Sequence, residues 1–308
     1  MKNFQKSFYL MAISSFFGAL IPVSVKALSL HSSILIIFFF TRVFLLVGAF
    51  PTIFRHKKSL LKINKSEIIF ISTVFYVAAM YCYFYSLLLV PLAISSLMAN
   101  SAPLYVPLIA LFILRDQSIK SKILWLCMLI SFTGIALMLL PNEKIHYSFI
   151  GFLLAFLSGI FLALWQVCTK FVTAHESPHR ITFLQTILSI VFSFFPAGFI
   201  VYQHGIHYLD ALFSIKSVAL LILCGISSWI YQLYRAKAMT FAPVSFAMPF
   251  GYLGVAFVGA LDFIFWRTYP NVLSIFGMIV VISGVVLLLK LNTGKDNAAC
   301  LASQNDKK

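Results

Sequence analysis

The chain has 308 residues, 61% of them hydrophobic and only 10% charged, with a formal net charge of +15. A soluble domain is nearer a quarter charged, so a water-facing surface cannot be built from this composition. The chain falls instead into apolar stretches of about 20 residues, the helix length that crosses about 30 Å of hydrocarbon, and reads as an all-α polytopic membrane protein.

Ten spans are expected, at 7–28, 33–54, 67–89, 92–114, 122–140, 148–169, 181–202, 215–235, 240–265 and 271–291. Span one follows Lys2 and Lys6, as a signal peptide would, but its apolar run continues past Gly18 without a small-residue cleavage site, so it reads as a retained span. Near its outer end, Gly18, Pro22 and Lys26 fall on one helix face. That stripe suggests a cavity wall and a substrate role for Lys26; the alternative is a lysine that snorkels to the interface.

Span two carries Arg42 roughly 15 Å deep, at about 1.5 Å per residue. A charge at the bilayer centre costs at least about 2.5–3.5 kcal/mol on insertion scales, so this one faces a wet cavity or a partner. Its planar fork suits a carboxylate or phosphate on a substrate; the other reading is a structural arginine tied to carbonyls between helices.

Span three contains "YCYFY", which places Tyr81 and Tyr85 inside the membrane. With Trp165 and Gln166 in span six and Tyr231 in span eight, they supply stacking surfaces and hydrogen bonds for an organic substrate, or else simple packing.

Spans four and nine are interrupted. Span four has Pro91, Pro103 and Pro107 around Asn100, and Ser96, Asn100, Pro103 and Pro107 share one face. Proline frees backbone carbonyls, which a membrane protein tolerates where they meet water or protein. A kinked, polar-faced helix lining a cavity accounts for this set, Asn100 included. Span nine has Pro243, Pro249 and Tyr252 in the same style, and carries Asp262 within its interior. That aspartate reads either as the carrier of a coupling proton or as a fixed counter-charge for Lys26 or Arg42.

With the N-terminus inside, eighteen of the 23 lysines and arginines lie on the cytoplasmic side, Arg235 at the end of span eight among them. This bias orients the protein, both termini cytoplasmic, and removes any need for nucleic acid to explain the charge. The expected location is a cell inner or plasma membrane, crossed many times. The five cysteines and seven histidines show no metal-ligand spacing, and no GxxxxGK[ST] loop occurs. No cofactor, metal or catalytic residue is expected.

The halves echo each other. Pro91 pairs with Pro243 and Arg115 with Arg267 at an offset of 152, Gly134 with Gly284 at 150, and Lys26 with Lys170 at 144. Five spans, residues 1–145, are therefore repeated at 146–291, and 292–308 forms a polar tail expected to be disordered. Five is odd, so the second copy is inverted, an arrangement suited to alternating access.

The motifs "FFGALIPVSVKAL", "FFFTR", "SLLLVPLAISSLMANSAPLYVPLIALFILRD" and "RAKAMTFAPVSFAMPF", with the "GVVLLL" pattern of span ten, resemble the EamA type of the drug/metabolite transporter superfamily across nearly the whole chain. The resemblance implies a ten-helix bundle with a central cavity, moving a small organic metabolite across the bilayer. The sequence departs from it where Asp116 and Thr268 occupy places usually held by glutamate. The "AP" turn into span nine and the proline-then-glycine pattern of span ten are similar to the S-adenosylmethionine transporters of intracellular bacteria. The function expected is secondary active transport of a small polar metabolite, with S-adenosylmethionine exchange or amino-acid or metabolite export as alternatives. An integral membrane enzyme would need clustered acids or histidines, and none stand close. Direction, coupling ion and oligomeric state are left open by the residues.

Overall fold

The computed structural model describes residues 2–29, 32–60, 66–90, 92–115, 120–139, 148–266 and 272–305. Its helices are α1 (Lys2–Ser29), α2 (Ile34–Leu60), α3 (Ser66–Leu89), α4 (Leu92–Ala99), α5 (Ala102–Leu114), α6 (Lys122–Leu139), α7 (Phe149–Thr173), α8 (Pro178–His204), α9 (Ile215–Phe241), α10 (Val244–Ala247), α11 (Leu253–Trp266) and α12 (Val272–Asn305), with 3-10 segments at Ile206–Phe213 and Met248–Tyr252. No strand occurs among the described residues. Serines start three of the long helices: Ser148, Ser177 and Ser214 each accept a backbone N–H three residues on, satisfying a donor the helix itself cannot.

Eight apolar helical stretches are long enough to cross a membrane, and two shorter ones, Lys122–Leu137 and Ile275–Lys290, fall where spans five and ten were expected. The outer surface is apolar: Phe112 is 83% exposed and Phe195 69%. Such side chains belong against lipid in a protein of this composition.

The repeat is visible element by element. Each helix start in the second half lies 144 to 152 residues after its counterpart: α1 with α7, α2 with α8, α3 with α9, α4 with α10, α5 with α11 and α6 with α12. The packing follows the same exchange. The α3–α7 contact corresponds to α9–α1 and α5–α7 to α11–α1, while α6–α12 and α2–α8 map onto themselves. With an odd number of crossings in each half, this makes two inverted five-span repeats.

The α6–α12 pair rests on the repeat-related glycines. A Cβ on Gly134 would stand 2.7 Å from the Gly277 carbonyl oxygen, and one on Gly284 would stand 3.0 Å from that of Cys127. Small residues let two membrane helices approach backbone to backbone.

The exchange is imperfect at one end of the bundle. There the C-terminal ends of α5, α7 and α9 meet the start of α10: α7 packs on α9, and α10 on both α5 and α7. Among the described residues, the counterpart pairs α1–α3, α4–α11 and α4–α1 share little contact. Lys170 on α7 ties the closed end, its Nζ donating to the carbonyl oxygens of Met239 and of Ala242, the latter at 2.9 Å.

Two helix ends differ from expectation. Helix α9 runs on to Phe241 where span eight was placed at 215–235, so Arg235 lies inside a helix and not in a cytoplasmic connection. Residues 235–241 contain no helix breaker, and the chain leaves the helix only at Ala242, in extended conformation before Pro243. Helix α12 continues to Asn305, past the start of the tail expected to be disordered. Asp116, Arg267 and Thr268 lie outside the described residues.

Candidate substrate site

Both interrupted spans break near their middles. Helix α4 ends at Ala99 and α5 starts at Ala102; the Ser101 N–H donates to Met98 O at 3.1 Å and the Leu104 N–H to Ser101 O at 2.8 Å. Asn100 occupies this turn, partly exposed. In the second half the counterpart is the tighter 3-10 segment Met248–Tyr252, which packs against α5. The prolines achieve what the sequence suggests. Pro103 opens α5, where a missing N–H costs nothing, and Pro249 opens the 3-10 segment.

Between these breaks the bundle buries two arginines. Arg42 of α2 is 4% exposed, and its Nη1 donates to the Tyr76 hydroxyl of α3 at 2.9 Å. Its guanidinium also lies over the Phe38 and Tyr76 rings, at 5.1 and 5.6 Å from their centroids. Arg235 of α9 is 8% exposed; it donates to the Tyr231 hydroxyl and, at 3.4 Å, to Met248 Sδ. It stands 5.8 Å from the Trp165 ring and 5.2 Å from the Tyr231 ring. The Tyr76 and Trp165 rings are 4.8 Å apart and so link the two arginines through aromatic contacts.

The cluster holds hydrogen-bonding capacity that the protein does not use. Arg42 Nε, Arg235 Nε, Trp165 Nε1, Gln166 Oε1 and the Tyr252 hydroxyl are all buried without a partner. Buried polar groups are ordinarily satisfied; of these orphans, Arg42 Nε, Arg235 Nε and Trp165 Nε1 belong to side chains joined by the aromatic contacts, and they leave donors there for a ligand.

Two glycines shape the walls. A Cβ on Gly18 would stand 2.7 Å from the Tyr231 ring, so that ring lies directly on the α1 backbone. Gly251 brings the 3-10 segment close to Arg235, whose Nη2 would lie 3.6 Å from a Cβ there.

Of the residues singled out from sequence, Tyr252 and Gln166 are buried, Tyr252 in the core formed with Met248 and Phe250, while Arg42, Trp165 and Tyr231 belong to this cluster. Tyr81 packs beside it on Phe38, but its hydroxyl is engaged by the Phe192 carbonyl at 3.3 Å, tying α3 to α8. Tyr85, on the same helix, is 49% exposed and takes no part in the cluster. The side chains of Lys26 and Asp262 lie outside the described residues.

Sequence reasoning missed Arg235, Tyr76 and Met248. For Arg235 the signal was present: no proline or glycine separates it from span eight, so the helix had every reason to continue.

The fold and this cluster define a helical membrane protein with a polar and aromatic cluster buried in its bundle. Residues 149–290 match the EamA-like transporter family. The chain is similar to a pseudopaline exporter of Pseudomonas aeruginosa, 23% identical over 217 residues that cover 69% of this chain and 71% of the relative. It is also similar to an S-adenosylmethionine uptake transporter of Rickettsia felis, 22% identical over 261 residues that cover 82% of this chain and 80% of that one. A solved crystal structure shares the fold at a TM-score of 0.75 with 12% identity, covering 93% of this chain and 97% of the other. The second half of the chain thus carries an EamA-like transporter domain, and the relatives that align with the chain are named as membrane transporters.

Proposed function

We propose that the protein is a secondary active transporter of a small polar organic metabolite, working by alternating access in a cell inner or plasma membrane with both termini cytoplasmic. The observation that carries this reading is the buried polar and aromatic cluster, with unsatisfied donors and contributed by both halves: Arg42 and Tyr76 from the first, Trp165, Tyr231 and Arg235 from the second. Inverted repeats can exchange inward-open and outward-open forms around such a fixed central site. The unequal packing at the two ends supports the same reading. The end where α7, α9 and α10 meet is the more heavily packed of the two, and on the positive-inside reading it is the cytoplasmic one. The sequence has no ATP-binding loop, so the driving force is a gradient or an exchanged solute.

The test is uptake by proteoliposomes of a labelled panel: S-adenosylmethionine, several amino acids and a nucleotide, with Arg42→Ala alongside. Saturable uptake and counterflow of one compound, lost in the variant, supports transport through this cluster. Flux that rises linearly with concentration for every permeant compound is the behaviour of a channel and overturns the reading. A second reading, S-adenosylmethionine uptake or exchange, is favoured by the likeness to the rickettsial transporter over more than four-fifths of this chain.

A further inference from the structure

From the cluster's charge we infer that its occupant is an organic anion, held by its acid groups between Arg42 and Arg235. This rests on the transporter reading and names the substrate class of that same site. Both guanidiniums are more than nine-tenths buried, and each keeps an unpartnered Nε–H. An unpaired buried charge is costly, and the described side chains supply little against it. Among residues with described side chains the carboxylates are Glu67, Glu176 and Asp210. Glu67 and Asp210 are exposed, and Glu176 is bound to Arg180. The hydrogen-bond acceptors offered to the arginines are neutral: two phenol hydroxyls and a thioether. The site therefore carries two positive charges that a carboxylate or phosphate would neutralise, and the guanidinium fork is suited to either.

The rest of the cluster fits the body of such a molecule. Trp165 Nε1, on a ring in contact with Tyr76 and beside Arg235, can donate to it. The faces of Phe38, Tyr76, Trp165 and Tyr231 that would attract a cation already lie against the protein's own guanidiniums. The arginines are also not remnants of the duplication. At the repeat offsets of 144 and 152, Thr186 stands opposite Arg42 and Tyr83 opposite Arg235. The inference separates the two same-class alternatives: S-adenosylmethionine, with a sulfonium and an ammonium against one carboxylate, is a net cation and the site's charge repels it.

The test uses purified full-length protein, with thermal stability and quenching of tryptophan fluorescence as binding readouts. The probes are succinate, citrate, glutamate and AMP, with succinamide, methionine and S-adenosylmethionine as neutral or cationic controls; the carboxylates and AMP separate a carboxylate from a phosphate ligand. At least one anion is expected to bind saturably. Its affinity should fall tenfold or more in Arg42→Gln and in Arg235→Gln, and recover in part in the corresponding lysine variants, which also serve where a glutamine variant fails to fold. Binding confined to neutral or cationic probes overturns the inference, as does an anion bound equally well by both glutamine variants, or no anion bound at all. Saturable uptake of S-adenosylmethionine in proteoliposomes would overturn it too, while leaving the transporter reading intact.

Discussion

Lys170→Met should loosen the closed end of the bundle. The lysine bonds the carbonyls of Met239 and Ala242, at the end of α9, where a helix has no internal donors left to satisfy them. Hydrogen bonds to a charged group contribute about 1.5–3 kcal/mol each when buried. Lys170 is only partly buried, so the pair together is taken as about 2 kcal/mol after solvent screening, a magnitude set by the weakness of exposed ion pairs. Methionine keeps the length and apolar stem of the side chain and removes only the charge. A loss of about 2 kcal/mol from the closed form multiplies the population of the opened one roughly 30-fold. Val244, fully buried beside Lys170 at the start of α10, reports on this. In a cysteine-free background carrying Val244→Cys, maleimide labelling should quicken by about the same roughly 30-fold while the opened form remains minor. An unchanged labelling rate in folded protein would refute the reasoning and leave Lys170 as a local cap of α9.

The repeat predicts a mirror effect for Lys26, which corresponds to Lys170 at an offset of 144, the carbonyls of Leu87 and Val90 being the counterparts of those of Met239 and Ala242 at 152. Lys26→Met should stabilise the form described and slow Val244→Cys labelling several-fold; faster labelling would contradict the pairing. Gly18→Ala places a methyl 2.7 Å from the Tyr231 ring and should cost about 1–3 kcal/mol of stability by overpacking, with a raised KM for uptake as Tyr231 shifts from Arg235. A melting temperature and KM equal to wild type would show that the ring moves freely. Tyr76→Phe strands a charged donor of Arg42 and should destabilise the empty protein by about 1.5–3 kcal/mol, seen as a lower Tm. Saturating substrate should restore more of that loss than it adds to wild type.

Much of this architecture can be read from residues alone, because hydropathy and proline are local signals. The ten spans, their pairing into two halves and the breaks in spans four and nine follow from them, and Arg42 stands out as an isolated charge in an apolar run. Arg235 does not stand out. It sits with Lys237 at the edge of a hydropathy window, where averaging moves it into the connection, and only the helix end at Phe241 shows it to be inside. Tyr76 is one of 13 tyrosines, and nothing but its approach to Arg42 across two helices distinguishes it. Tyr85 is the reverse case: a phenol deep in a span suits cavity lining or packing equally by sequence, and its position on α3 leaves it half exposed on the outer face. The lysine pair is intermediate. The repeat marks Lys26 and Lys170 as equivalent, but a role as a tie between helices appears only from the carbonyls that Lys170 reaches.

The way the arginines are held suits a site that must survive a change of state. Arg42 bonds Tyr76 within the first half, and Arg235 bonds Tyr231 and Met248 within the second. No guanidinium hydrogen bond crosses between halves among the described residues. The aromatic link that does cross, Tyr76 against Trp165, is a tilted ring contact at 4.8 Å, which tolerates sliding far better than a directional hydrogen bond. A shift of one half against the other would therefore keep each arginine with its own partners, since neither set of guanidinium bonds spans the two halves. Symmetry and asymmetry divide the work. If the duplicated frame provides two exchangeable ends, the arginines, which the duplication does not copy, provide one site common to both.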